Sequence, residues 1–527
     1  MQAMPGAELV LKNARVLTME AGRRRPRASV VAVRRGRIWQ VGDEALAGEA
    51  AGPGTKVIDC QGLTLVPGFN DAHCHIFSFV RHLLCMDLSP PAVKSIEDIK
   101  ALVAQKARET PPGRWIQGVD YNEFYLAEKR HPTRWDLDEV APDHPVVLSH
   151  RSLHACVLNS RALELAGITR ETPEPPGATI ERRLTDGEPN GVLYEMLGFV
   201  RERVMPPWTE AELDAGMRLA NQRYLSAGIT SLQDATVVND HRRFLALRRY
   251  VDAGKLRPRI YMMFGPEGWE GFRQAGLHYR DGDDRLRLGG LKVVPSSPGG
   301  QLYPPPDELA RMVLEANRQG FPAAIHAVRQ STVAVVADAF ETARRWLPGS
   351  NLRNRVEHCA ECPPPLLERL RATGAVVVTQ PVFLFHSGER YLSTVPEETL
   401  PWLYRIRAFF EAGLVVAASS DSPIAPNNPL LGIYGAVTRR TAGGRQIAPD
   451  EAVTPGEALA MYTRLAAFAS QDEDVKGTIS PGRLADLVLL SDDPTAVEPE
   501  AIRDIRVLMT IIGGEVVWQA ALVQNDG

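Results

Sequence analysis

The chain of 527 residues is poor in lysine, poor in cysteine and free of long apolar runs, and neither sign of charge dominates it. Lys and Arg number 60 against 64 Asp and Glu, for a formal charge of −4. That balance leaves no basic surface of the kind that nucleic acid or an anionic membrane demands, so neither is expected as a partner. Six cysteines, at 60, 74, 85, 156, 359 and 362, are too few and too scattered for a disulfide framework. Cys359 and Cys362 form a lone C-x-x-C with no second pair, which reads as reduced buried thiols. No stretch approaches ~18 uncharged apolar residues. The N-terminal MQAMPGAELVLKNARV meets Glu8 and Lys12 before an apolar run of leader length has formed, so the expectation is a cytoplasmic protein. No repeat, low-complexity tract or heptad pattern is visible.

What is present is a change of rhythm along the chain. Residues 8 to 66 carry short β-like runs separated by Gly, Pro and charged turns, and RLADLVLLSDDP with IRVLMTIIGGEVVWQAALV at the other end repeats that pattern, Gly-Gly marking a hairpin. These segments predict one discontinuous N-/C-terminal β-sandwich domain from residues 1–66 and 476–527. Between them, residues 67–475 alternate short apolar runs with amphipathic stretches. GFNDAH, GITSLQDA, IYMMFG, GLKVVP, AAIHAV, NRVEHC, AVVVTQP and LVVAASSDS read as eight strands, and segments such as PDELARMVLEANRQG read as helices between them. Strand then helix, about eight times over, predicts an α/β fold with a (β/α)8 barrel. Turn-rich sequence from about 88 to 195 breaks the rhythm after the first strand and predicts an inserted subdomain, a cap over the barrel mouth.

The unusual polar residues sit where barrel strands end, the place where such barrels do chemistry. In Asp71-Ala72-His73-Cys74-His75, alternation along an extended chain puts His73 and His75 on one side. His326 closes AAIHA, His358 closes RVEH, and Asp421 follows LVVAASS. Four of the twelve histidines thus fall at three strand ends. With the carboxylate they form a set suited to Zn2+ or a similar divalent transition metal, as one ion with spare groups or as two. Lys292 interrupts the apolar LGGLKVV, where an isolated ammonium is disfavoured. Its side chain either snorkels or pairs with an acid, or is carried as a carbamate bridging two metals; Glu195, closing GVLYE, is the rival bridging ligand.

PGFNDAHCHIF, the strand-end His326 and His358, SSDSP around Asp421 and the closing GTISPGRLADLVLL resemble the amidohydrolase superfamily from about residue 8 to 522. WIQGVDYNEF, HPTRWDLDEVAPDHPVVL, HACVLNSRALELAGI and NGVLYEML resemble its branch of metal-dependent hydrolases that includes N-substituted formamide deformylases. The resemblance implies that His73, His75 and Asp421 hold the more buried metal, that His326 and His358 hold the second, and that Lys292 matches the carboxylated bridging lysine. It also implies a homodimer. Two mouth loops depart from the branch: KVVPSSPGG stands where relatives read like K-x-x-x-D-G-S-x-G, and HAVRQ where they read like H-A-x-G-D. Those departures bear on the substrate.

The expected activity is hydrolysis of a C–N bond of the amide, N-acyl or N-formyl type in a small molecule. Zn2+ lowers the pKa of a bound water toward ~7, making hydroxide available near neutral pH. Asp421 would move the proton, and Asp421 and His358 are the catalytic candidates. The alternative is deamination of a heterocycle or nucleobase-like ring, which superfamily deaminases support with a Glu three residues after the fifth-strand histidine; here that place is Arg329. A non-catalytic scaffold is the third reading. His154, Gln380 and Arg329 are candidates to meet substrate, with Asp234 and His386 as further pocket residues. Glu357 is expected to orient a ligating histidine or pair with Arg355. Trp115 and Trp402 are taken as cap residues able to meet an apolar substrate.

Overall fold

A computed structural model describes residues 6–22, 28–90, 92–175, 177–296 and 302–521. The extreme ends of the two terminal β segments and residues 297–301 of the loop after Lys292 lie outside the described residues. The described chain divides into two compact units: one holds the residues up to Ile76, Asn221–Ser296 and those from Pro304 onward, the other Phe77–Ala220. No helix among the described residues is long and apolar enough to cross a membrane.

In the first unit, eight parallel strands follow one another in chain order: Phe69–Cys74, Ile229–Asp234, Arg259–Phe264, Leu286–Val293, Ala323–Ala327, Arg355–His358, Val376–Thr379 and Val415–Ala418. The seventh reads VVVT and is wholly buried, as expected of a parallel strand covered on both faces. The first and eighth strands are joined at the C-terminal rim, where Asp421 N–H donates to the His73 carbonyl and His75 N–H to that of Ser422, both at 2.9 Å. The sheet is therefore a nearly closed barrel, and its seam runs through three of the expected ligands.

The connecting helices form where the sequence supplies both a face and an end. Pro306–Arg318 opens on proline, carries Asp307 and Glu308 in its first turn against the helix dipole, and buries Leu309, Val313 and Ala316 on one stripe. Pro364–Thr373 ends at Gly374, whose φ of 72° is the left-handed cap that glycine adopts without strain.

The same unit contains two further sheets. Leu9–Lys12, Val30–Arg34, Arg37–Gly42 and Lys56–Asp59 form one. Arg15–Val16 and Thr64–Pro67 join Leu487–Leu490, Val507–Ile512 and Glu515–Gln519 in the other, so strands from both ends of the chain share a sheet. Leu9, Leu11, Val31, Val33, Leu65, Leu487, Leu489 and Ile511 pack as one buried cluster drawn from both sheets. Gly513 and Gly514, both at positive φ, make the two-residue turn between Ile512 and Glu515.

The second unit is more regular than its turn-rich sequence announces. It holds a six-stranded mixed sheet in the order Thr179–Arg182, Pro189–Tyr194, Ala155–Leu158, Val146–His150, Ile116–Tyr121, Met86–Asp87. Gly118 makes room in this sheet for Leu88 and Leu148, whose side-chain ends a Cβ there would meet at 2.6 and 2.8 Å. Trp402, taken from sequence as a cap residue, belongs instead to the barrel unit, in the short turn Leu400–Trp402; Trp115 packs on the apolar core of the second unit.

Candidate metal centre

His73 and His75 leave the first barrel strand on the same side, as an extended backbone dictates. Asp421 reaches them from beyond the eighth strand: its Oδ1 lies 3.0 Å from His75 Nε2 and 3.5 Å from His73 Nε2. Ligand atoms of these three residues lie within 4.8 Å of one another, the one such grouping of three among the described residues. The other two imidazoles continue the cluster. Ring centroids are 5.2 Å apart for His73 and His75, 5.0 Å for His73 and His358, and 4.4 Å for His358 and His326.

Three of the imidazoles are oriented through the nitrogen that faces away from their neighbours. His73 Nδ1–H donates to Glu357, whose carboxylate is held by the Arg355 guanidinium at 2.7 Å. His75 Nδ1 pairs with Thr236 Oγ1 at 3.0 Å, and His358 Nδ1–H donates to Gln380 Oε1 at 2.8 Å. For His73 and His358 this leaves Nε2 as the lone-pair end, the pattern of a metal-ligating histidine with an outer acceptor, while His75 Nε2 faces Asp421 Oδ1 at 3.0 Å. Arg355 and Glu357 are both buried, and Arg355 also donates to Gln233 Oε1 and the Ala72 carbonyl. Breaking such a buried pair by removing one partner costs about 3–5 kcal/mol, so the His73 support is also structural.

The backbone takes unusual conformations to aim two of these side chains. His358 has φ 72° and Asp421 φ 57°, left-handed values that cost of order 1–3 kcal/mol each in a non-glycine residue. Hydrogen bonds hold both, Cys359 N–H to the Ala327 carbonyl and Asp421 N–H to that of His73.

Burial and mutual charge set the protonation states. Burial, reinforced by Lys292, draws His358 down to about 4 and His73 well below the usual imidazole range, so both are neutral donors near pH 7. Burial works against the Asp421 carboxylate, but the His75 hydrogen bond, the neighbouring His73 and His75 rings and the Lys292 ammonium outweigh it and hold Asp421 below its ordinary value. Lys292 is 1% exposed, and its Nζ has no hydrogen-bond partner among the described residues. Burial brings its amine to about 8, against the pull of Glu357 and Asp421. The neutral imidazoles of His73 and His358, an ionised carboxylate and an orphaned buried amine together fit a divalent transition metal better than they fit each other.

The remaining candidates fall in different places. Gln380 is fully buried and spends its side chain on His358 and Ser419. Arg329 is exposed at the start of helix Gln330–Trp346. Asp234, buried at the end of the second strand, accepts from Thr236 N–H at 3.0 Å through one oxygen, and its other oxygen has no partner among the described residues. His386 lies in helix Val382–Thr394. His154 and Glu195 belong to the second unit, where they are exposed and bond each other at 2.8 Å. Sequence reasoning passed over Asp71, which accepts from the amide and hydroxyl of Ser420 and so ties the first strand to the Asp421 loop; its place two residues before His73, on the same side of the strand, was the available signal. Cys359 and Cys362 are buried free thiols.

A parallel α/β barrel whose strand ends gather imidazoles and a carboxylate at ligand spacing defines a metalloenzyme of the barrel class. The chain belongs to the amidohydrolase family, whose sequence model matches residues 56–518. It is similar to the N-substituted formamide deformylase of Arthrobacter pascens, with 32% identity across 96% of this chain and 97% of the relative. It is also similar to uncharacterized metal-dependent hydrolases of known structure from Pyrococcus horikoshii and Pyrococcus furiosus. The first matches at a TM-score of 0.75 and 25% identity over 93% of this chain and 99% of that one. The second matches at 0.72 and 26% over 92% and 99%. The chain is thus a hydrolase of the metal-dependent amidohydrolase superfamily, resembling the formamide deformylase branch.

Proposed function

We propose that this protein hydrolyses a C–N bond of the amide, N-acyl or N-formyl type in a small molecule, releasing an amine and a carboxylic acid. The observation that carries the reading is the convergence of His73, His75 and Asp421 within 4.8 Å, each imidazole with its outer nitrogen already engaged. His73, His75 and Asp421 would hold one divalent metal, His326 and His358 a second. When bound, such an ion supplies Lewis acidity, making hydroxide available near neutral pH and drawing charge from a carbonyl oxygen. Asp421 accepts the proton of the attacking water as the O–C bond forms and returns it to nitrogen as the C–N bond breaks, a contribution of about 10²- to 10⁴-fold. His358, neutral and fixed by Gln380, keeps its Nε2 directed to the same place.

Lys292 completes this reading as a carbamate. The Lys292 ammonium, its pKa already lowered by burial, would give up a proton, and the free amine would add CO2 and release a second proton, leaving a carbamate anion suited to hold divalent metal. Short carboxylic acids are then expected to restore part of the activity of Lys292→Ala.

A screen of N-formyl, N-acyl and cyclic amides with the zinc, manganese and cobalt forms tests the proposal. Amine and carboxylic acid appearing in equal amounts is the expected result. Ammonia without a carboxylic acid product would instead identify a deaminase.

A further inference from the structure

The second unit contains a positive site that the hydrolytic reading does not use. The sequence VRERV at 200–204 forms a π-helical turn, closed by the Met205 N–H donating to the Val200 carbonyl at 2.9 Å and followed by Pro206 and Pro207. Turns of this kind are uncommon and cluster at functional sites. This one presents Arg201 to a cavity of about 20 Å³, lined also by Arg81, Gln117, Cys85 and Trp208. The lining carries two guanidiniums and no carboxylate.

Arg201 is partly buried, and its hydrogen bond goes to a neutral group, Ser149 Oγ, at 3.2 Å. Burial pulls its guanidinium below the ordinary value, with the neighbouring Cys85 and Cys156 opposing it only in part. Cys85 directs its thiol at Gln117 Oε1, 3.8 Å away, which leaves the Gln117 NH2 as a donor. Charge drawn away from water is normally paired, and among the described residues Arg201 has the uncharged Ser149 Oγ as its side-chain hydrogen-bond partner.

We infer that the cavity formed by Arg201, Arg81 and Gln117 binds a halide-sized monovalent anion, chloride being the common one. The size argues for this class: ~10–15 Å³ accommodates one water, so the cavity is of the size that holds a single compact ion. The ion would neutralise Arg201 and tie the π-helical turn to Ser149, Gln117 and the helix that carries Arg81, a stabilising role within the second unit.

Two measurements on the full-length holoenzyme test the inference. Melting is followed in sodium chloride and in sodium gluconate at equal ionic strength, for the native protein and Arg201→Gln. Chloride is expected to raise the native melting temperature saturably by about 1–3 °C over gluconate, a linkage effect of a ligand bound to the folded state, and to give no such gap in the variant. Crystals of the native protein grown in bromide are expected to show an anomalous peak in contact with the Arg201 guanidinium, a result that does not depend on the variant folding. The absence of that peak overturns the inference, as does an equal chloride gap in Arg201→Gln.

Discussion

Both units bring histidines close to carboxylates, yet among the described residues only the barrel unit gathers three ligand-type atoms within 4.8 Å of one another. At the barrel rim, His73, His75 and Asp421 turn their donor atoms toward one another while Glu357, Thr236 and Gln380 hold the outer nitrogens. In the second unit, His131 and His150 stand 4.0 and 2.8 Å from the same Glu123 oxygen, but His131 spends Nδ1 on the Tyr121 hydroxyl and His150 spends Nδ1 on Ser152. Tyr121 and Tyr194 rings pack edge-on against these imidazoles. Proximity of residue types is common to both; convergence of lone pairs comes from the parallel strands, whose ends aim side chains at one axis. Two buried groups, one from each unit, titrate in opposite senses. His358, drawn down to about 4, gives stability that is lost as pH falls from about 6.5 toward 4. Asp120, pushed up to about 6 by burial, gives stability that is lost as pH rises from about 4 through 6.

The contrast can be broken at several points. Asp421→Asn is expected to keep much of its metal and lose about 10²- to 10⁴-fold in turnover, read from metal content and kcat in one preparation. An active variant would remove the proton-transfer role. Glu357→Gln, which weakens the support of His73, is expected to lower metal affinity by about 10- to 100-fold in chelator competition. The matching changes in the second unit, Glu123→Gln and His150→Ala, are expected to leave metal affinity unchanged; a comparable loss would mean that the two clusters are not different in kind. The smallest effect is expected from Asp120→Asn, which removes the raised carboxyl. The melting temperature at pH 8 should rise by about 1–2 °C with little change at pH 4.5.

The contrast also explains what could be read before any coordinates. The barrel was legible because its strands are continuous apolar runs such as AVVVTQP, alternating with amphipathic stretches of helical period. The chemistry stood out because the histidines and Asp421 fall at the ends of those runs, and because Lys292 interrupts one of them. In the second unit the strands are short, broken by Gly118, Pro189 and charged residues, and cross-strand pairing far along the chain decides them, so local pattern showed turns where the fold makes a sheet. The pairing of Glu357 with Arg355 and a ligating histidine was within reach of sequence. The place of Asp71 beside His73 was also within reach, but its partner Ser420 was not, because the two lie 349 residues apart.

The central claim is that His73, His75 and Asp421 hold a catalytic divalent metal. Its most direct test is to count transition metal in protein prepared without chelators and to assay amide hydrolysis in the same samples, native and His73→Ala. The expected result is about one or two equivalents per native chain, with metal and hydrolysis both lost in the variant. Native protein that hydrolyses amides with under ~0.3 equivalents, or His73→Ala that keeps its metal and its rate, would contradict it.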